Sequence, residues 1–426
     1  MTEVDLDGLH AFIASSEGSY PPVFVGREPE LNTLMTAARE TWHLFRTGQS
    51  GSLSKRTHIV HGAPGAGKST LLWELDQRLH AVAPETGRPR LLYTNSAELE
   101  MDMNMVLERM EGLARLDADN WQQRLKTMAS RVSGSINFGP FTTSLDPDDS
   151  LHGRPQTLGQ LRERLPPDRW QTPVVLAIDE FQNIGSSEQS PVSRLLQALH
   201  EASCGLPVML VLSGLGNSPD QARKIGLTRG LAVTGIGCLS EEEARALVRG
   251  WCRHYGLDTD EHGTEIDHFA DSTGGWPRHL HFALQALAGE LVRSDVDGQL
   301  SRVFWQGVMN GSMDLRRKYY YDQQSPEMQA SAYLVAALMR DLQPERGPIG
   351  VDRLIHRHRR KESGWRLPDG MSSWDFQSHL IHRGVLHPGD DSSLSCPIPS
   401  FRDFLIAQGE PAPAPAQEPD GASPQP

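Results

Sequence analysis

Apolar positions along the chain follow two rhythms. Five short runs are apolar or β-branched: 57–61, 90–95, 173–179, 207–213 and 231–236. The runs Val174-Val175-Leu176-Ala177-Ile178 and Val208-Met209-Leu210-Val211-Leu212 do not alternate with polar residues. Continuous apolar character over so few residues is the mark of parallel strands covered on both faces. Elsewhere the apolar residues recur three or four apart. Leu71, Leu72, Leu75 and Leu79 predict a helix directly after the first run, and a helical stretch extends from Met101 to Leu116. Ala244, Leu247, Trp251 and Tyr255 predict another, opened by a capping box of Ser240 and Glu243. Leu280, Leu284, Leu287 and Leu291 line a third, with Pro277 suited to its first position. Strands alternating with helices predict an α/β fold, a parallel sheet sandwiched by helices.

The last quarter has a different pattern. Ser325-Pro326 opens a helix with Ala330, Leu334 and Leu338 inward, and Val351, Leu354 and Ile355 mark a second. Ser373 caps a third that carries Phe376, Leu380 and Ile381 and stops at Gly384. Val385–His387 and Ser393–Cys396 read as strands around the turn Gly389-Asp390-Asp391, and residues 397–405 as a tail helix. Three helices followed by a hairpin predict a winged helix over 325–406. The connection 100–170 is long for a strand-to-strand link. It holds a helical stretch from Trp121 to Ser130 and a predicted hairpin over 134–145, either an arm for a partner or DNA, or a packed flap.

Composition narrows the setting. The chain has 426 residues and a formal net charge of −13, which opposes wholesale binding to nucleic acid. A local basic run, Arg353, Arg357, Arg359, Arg360 and Lys361, leaves room for phosphate contacts, while the predicted recognition helix (Ser378, His379, His382, Arg383) is an indifferent base-reading set. The four cysteines have no paired spacing, so neither a zinc site nor a disulfide framework is expected, and a reducing, cytoplasmic setting is. The apolar runs are too short to span a bilayer, and no membrane partner is expected. The N-terminus lacks a signal-peptide pattern.

The chemistry concentrates after the first predicted strand. Gly62-Ala63-Pro64-Gly65-Ala66-Gly67-Lys68-Ser69, with Thr70 next, matches G-x-x-x-x-G-K-[ST] between a strand and a helix. Glycines let the backbone aim N–H groups at phosphate oxygens, the helix start adds a favourable dipole, Lys68 reaches the outer phosphates and Ser69 presents a hydroxyl to Mg²⁺. The third run ends in Asp179 and Glu180: an aspartate for the Mg²⁺ shell and a general base for water. ATP and Mg²⁺ are the expected ligands. The fourth run ends at Ser213, with Asn217 as a rival polar residue.

With Phe24-Val25-Gly26-Arg27-Glu28-Pro29-Glu30-Leu31 ahead of the loop, these motifs resemble the AAA+ ATPases, in the branch of initiator and STAND-like proteins. The resemblance implies that Val25 and Gly26 border the adenine and that Arg27 contacts the nucleotide or braces its pocket. It implies that Ser213 senses the γ-phosphate. Arg229 in Ile225-Gly226-Leu227-Thr228-Arg229, or else Arg223, would act as a finger on a neighbouring subunit's nucleotide. Arg278, opening a helix after Gly274-Gly275-Trp276-Pro277, matches the arginine of the AAA+ lid or the similar GxP element of STAND proteins. The expected organisation is a lead-in (1–20), an ATPase core (21–237), a helical lid and connector (238–324), a winged helix (325–406) and a disordered tail (407–426). The implied function is an ATP-hydrolysing switch for DNA-associated assembly in replication, transposition or defence. The alternative is a signalling ATPase whose winged helix grips proteins only. Self-association or a protein partner is expected in both, and a metabolic kinase has no visible second-substrate motif.

Overall fold

The structure is a computed structural model that describes residues 4–14, 22–49, 57–81, 89–115, 157–185, 190–201, 205–257, 259, 263–293, 305–342, 367–388 and 394–408. The predicted 134–145 hairpin, the stretch from Trp121 to Ser130, the helix at Val351–Ile355, the basic run 353–361 and the tail 409–426 lie outside the described residues. The chain forms two compact units, residues 1–316 and 317–426.

In the first unit, α1 (Leu6–Ala14) and α2 (Glu28–Arg46) precede β1 (Thr57–His61) and α3 (Lys68–His80). Then come β2 (Arg90–Asn95), α4 (Ser96–Met101), α5 (Met103–Ala114), α6 (Leu158–Arg164), β3 (Val174–Asp179) and α7 (Pro191–His200). β4 (Val208–Gly214), α8 (Ser218–Lys224) and β5 (Leu231–Gly235) complete the sheet region. The helices α9 (Glu241–His254), α10 (Gly263–Asp271) and α11 (Pro277–Arg293) follow. All five predicted strands are present, joined in a parallel sheet of order β2-β3-β4-β1-β5. Every residue of β3 and β4 is buried, as their unbroken apolar runs require. Register pairs Asn95 with Asp179, and His61 with both Gly214 and Gly235, so the carboxyl ends of the strands line up at one edge. That edge is where open α/β sheets bind ligands.

The sheet and its helices share one core, which includes Leu176, Ile178, Leu210, Leu212, Met110 and Trp170. Leu71, Leu72, Leu75 and Leu79 of α3 are fully buried, as their spacing predicts. Asp102 divides the helical stretch expected from Met101: it caps the end of α4 and the start of α5, where its side chain accepts from the Met105 N–H.

The helices α9 to α11 form a second core with Trp251, Phe269, Leu280, Leu284, Leu287 and Leu291. The Ser240–Glu243 capping box is present. The stretch 1–20, read as a lead-in, contains α1, whose Leu9 and Phe12 join this core. Phe12 meets Trp251 with ring centroids 5.4 Å apart, and the Asp5 N–H donates to the Tyr255 carbonyl at 3.3 Å.

A helix α12 (Trp305–Gln323) follows, and the division between units falls inside it. In the second unit its last turn supplies Tyr320, which stacks on Phe401 at 4.9 Å and shares a 2.7 Å hydrogen bond with Ser400. The unit continues with α13 (Pro326–Ala330), α14 (Ala332–Asp341), α15 (Ser373–His382), the two-stranded antiparallel ribbon β6 (His387–Pro388) and β7 (Leu394–Ser395), and α16 (Pro399–Gln408), which packs on α14. Three expectations change here. The helix from Ser325 breaks at Ser331 (φ −117°, ψ 28°), which resets its phase: Leu334 and Leu338 are buried, whereas Ala330 is exposed. The cap of α15 is Ser372 rather than Ser373, because Ser372 completes a capping box with Asp375. The ribbon is shorter than the strands expected at 385–387 and 393–396.

Candidate phosphate and metal site at the sheet edge

The loop 62–67 leaves β1 and turns sharply into α3. The Gly62 N–H donates to the Gly214 carbonyl at 3.1 Å, which continues the β1–β4 ladder into the loop. Gly65 and Gly67 then take positive φ angles of 80° and 89° and reverse the chain. The first turn of α3 carries no acidic residue, so its free N–H groups and the positive end of its dipole face the loop uncompensated. Ala63 and Ala66 are buried, Pro64 and Thr70 half-buried.

Lys68 is 9% exposed and donates to the carbonyls of Gly62 and Ala63 at 3.0 and 3.1 Å. Burial lowers its pKa, and the negative charges of Asp179 and Glu180 counter that shift. A cation withdrawn from water and held above a ring of backbone is placed to trade those carbonyls for an anion.

Asp179 ends β3 beneath the loop, and four groups converge on its carboxylate. Ser69 Oγ donates to Oδ2 at 2.7 Å and Tyr93 to the same oxygen at 3.0 Å. Ser213 Oγ donates to Oδ1 at 2.8 Å, as does the Glu180 N–H at 2.9 Å. The parallel register explains the convergence: Ser213, Asp179 and Tyr93 sit near the carboxyl ends of β4, β3 and β2, side by side in the sheet. Burial, followed by the Asp179 charge, raises the Tyr93 pKa far above that of a free phenol, so this hydroxyl remains a donor.

Ser69 and Asp179 form a hard, all-oxygen donor pair at the helix start, and this fits Mg²⁺ better than softer metals. Among the described residues no group of three or more His, Cys, Asp or Glu is placed to hold a metal. A cation held by this pair would keep positions for phosphate and water, as Mg²⁺ prefers.

Glu180 leaves the strand in the left-handed conformation (φ 54°), with its side chain exposed. Gln182 donates to its Oε2. Asn217 starts α8, half-buried and without a capping hydrogen bond from its side chain, so Ser213 is the one of the two that meets Asp179.

The helical segment reaches the loop from above. Pro277 is the first residue of α11, and the Arg278 N–H donates to the Gly65 carbonyl at 3.2 Å. The approach is tight: a Cβ at Gly65 would lie 2.6 Å from Arg278 Cβ. The Arg278 guanidinium lies 5.4 Å from the centre of the Phe282 ring. Val25 and Gly26 are half-buried, and Arg27 donates to the Gly237 carbonyl, so it braces the turn into α9. Arg223 pairs with Asp220 at 2.6 Å on the surface of α8, and Arg229 is exposed on the turn before β5.

Residues 23–211 match the family model described as the AAA ATPase domain. That stretch, which holds the loop and the strands from β1 into β4, is similar to the AAA ATPase domain. The AAA+ fold extends to solved structures of low identity. The ORC2 protein of Aeropyrum pernix, solved as ADPNP–ADP complexes, is similar with a TM-score of 0.55 at 14% identity, covering 94% of this chain and 96% of that one. A Walker-type ATPase of Pyrococcus abyssi has a TM-score of 0.52 at 14% identity, covering 92% and 99%. No curated protein sequence matches. No described helix of this chain is long and apolar enough to cross a membrane.

Two members of the polar network, Tyr93 and Gln182, are not evident from motif spacing. A polar side chain near the end of a buried strand is the one signal that would have singled out Tyr93.

Proposed function

We propose that this AAA+ protein binds ATP on residues 62–70 and hydrolyses it to drive a switch in a DNA-associated assembly. The observation that carries the reading is the convergence of Ser69, Tyr93 and Ser213 on Asp179 beneath a complete phosphate loop. Backbone N–H groups of the loop and the start of α3 bind the phosphates, and Lys68 turns from the Gly62 and Ala63 carbonyls to their outer oxygens. Ser69 and Asp179 hold Mg²⁺, which when bound neutralises phosphate charge. Glu180 takes a proton from water as the water oxygen attacks the γ-phosphorus; the bond to the bridging oxygen breaks, and ADP departs with the electron pair. Ser213 reports the γ-phosphate to β4. Arg278 adds a cation from α11, and Arg229 or Arg223 supplies one to a neighbouring subunit. Val25 and Gly26 border the adenine.

The partner side of the proposal rests on sequence: a winged helix over 325–406, following a helical lid and connector at 238–324, with the basic run 353–361 set against phosphates. A protein-gripping switch is the second reading, favoured by Trp374, 67% exposed on α15 of a chain with net charge −13.

Lys68→Ala tests the site. Turnover of ATP is expected to vanish along with nucleotide binding in equilibrium dialysis, and undiminished affinity and turnover would remove the loop from the mechanism. Duplex binding by the full chain, titrated against salt, tests the partner. Affinity should drop steeply with added salt, and substituting Arg357, Arg359 and Arg360 together by Ala should flatten that dependence. Salt-independent or absent binding favours the protein partner.

A further inference from the structure

We infer that Gln182 is a positioning residue for Glu180, holding the exposed carboxylate against the tip of β4. Its role rests on Glu180 being the base that activates water. The side chain is 6% exposed and makes two contacts that fix its orientation. Its Oε1 accepts the Leu215 N–H at 3.0 Å. That backbone group can only donate, so the amide oxygen faces it and the NH₂ group faces Glu180, where Nε2 donates to Oε2.

Glu180 needs such a partner. β3 ends at Asp179, and the left-handed backbone at Glu180 carries its side chain out of the strand into solvent. A glutamate there has three torsions set mainly by its hydrogen bonds; Asn183 Nδ2 also donates to Oε2, at 3.5 Å, but Gln182 is the partner that is itself anchored to β4. The amide of Gln182 ties down one carboxylate oxygen and leaves Oε1 to accept the water proton. Holding a base in a reactive geometry is itself a large part of catalysis.

The far end of the amide is as informative. Leu215 lies two residues beyond Ser213, which bonds Asp179 at 2.8 Å. The fit is close: a Cβ at Gly214 would lie 2.4 Å from Gln182 Oε1. A second amide crosses the same gap, since Gln221 of α8 donates to the Ile184 carbonyl at 2.5 Å. The turn 180–184 is thus joined to the β4–α8 segment at two places. A shift of the β4 tip is transmitted through Gln182 to the base.

The test uses the full chain. Gln182→Met keeps the length of the side chain and removes both amide contacts. Single-turnover hydrolysis at saturating ATP should fall about ten- to a hundredfold, with the dissociation constant for ATP kept within about twofold. In a chain that already carries Glu180→Gln, adding Gln182→Met should cost nothing further, because the amide acts through that carboxylate. Gln182→Glu guards against loss of fold in the Met variant. It sets a second carboxyl opposite Glu180, so its rate relative to the parent should rise as the pH is lowered and the pair comes to share a proton. An unchanged rate in Gln182→Met, a fall in ATP affinity equal to the fall in rate, a further loss in the double variant, or a relative rate for Gln182→Glu that is flat with pH would each overturn the role. A fast Glu180→Gln variant would instead overturn Glu180 as the base.

Discussion

A carboxylate that accepts four hydrogen bonds has little freedom left. Asp179 is such a group, with both oxygens engaged by Ser69, Tyr93, Ser213 and the Glu180 N–H. Its neighbour is the opposite case, exposed and held through one oxygen. The two carboxylates are therefore suited to different work: one to hold an ion in place, the other to accept a proton. Glu180→Gln keeps the shape and removes the base, so steady-state turnover should drop by about a hundredfold or more while a fluorescent ATP analogue binds as before. Near-normal turnover at the same affinity would take Glu180 out of the proton transfer. At this scale the sequence is informative where chemistry demands a spacing, as in the loop from Gly62 to Ser69. It is uninformative where sheet register decides. Tyr93 reaches Asp179 only because β2 pairs with β3 so that Asn95 lies opposite Asp179, and nothing in the local sequence states that pairing.

β3 and β4 were legible because burial on both faces leaves no alternation to misread, and α3, α9 and α11 because their apolar residues keep helical spacing. α1 was not, since its partners lie some 240 residues away in sequence, and a short helix gains most of its stability from such tertiary packing. Its contribution is measurable. Phe12 sits among Trp251, Tyr255 and His281. Phe12→Ala should destabilise the helical segment by about 3 kcal/mol, read as an earlier denaturant midpoint in tryptophan fluorescence. A midpoint unchanged from the parent would mean that α1 is not docked in solution. The same segment should be sensitive to acid. Burial, with help from Arg316, lowers the His279 pKa from 6.5 to about 4, and burial with the charge of Arg278 does the same for His281. Between those values the unfolded chain binds protons that the folded chain refuses, so stability rises with pH across that window. Thermal unfolding should hold steady above about pH 6.5 and move to lower temperature as the pH falls toward 4. The double variant His279→Gln, His281→Gln should show a smaller slope, and an equal slope would place the acid sensitivity elsewhere.

For the whole molecule the proposed finger decides whether one chain suffices. Arg229 is exposed, and Arg223, also exposed, is paired with Asp220, so a finger role calls for a second subunit. Turnover per chain should then climb with protein concentration, and Arg229→Ala should abolish the climb, with a loss of up to about 10³-fold. Mixed with Lys68→Ala, which keeps the finger and lacks the nucleotide, Arg229→Ala should regain part of the rate. A mixture as inactive as its components, with concentration-independent turnover in the parent, would point to a chain that works alone. A different property of the molecule follows from the bond between the Arg278 N–H and the Gly65 carbonyl, made where a Cβ at Gly65 would lie 2.6 Å from Arg278 Cβ. The start of α11 is pinned to the very backbone that curls around phosphate, so the segment cannot swing away without disturbing the loop. On the proposed reading of the loop as the nucleotide site, spent nucleotide would leave no faster than that pin lets go. In the proposed switch the pin would act as a timer, set by a contact between residues more than two hundred positions apart.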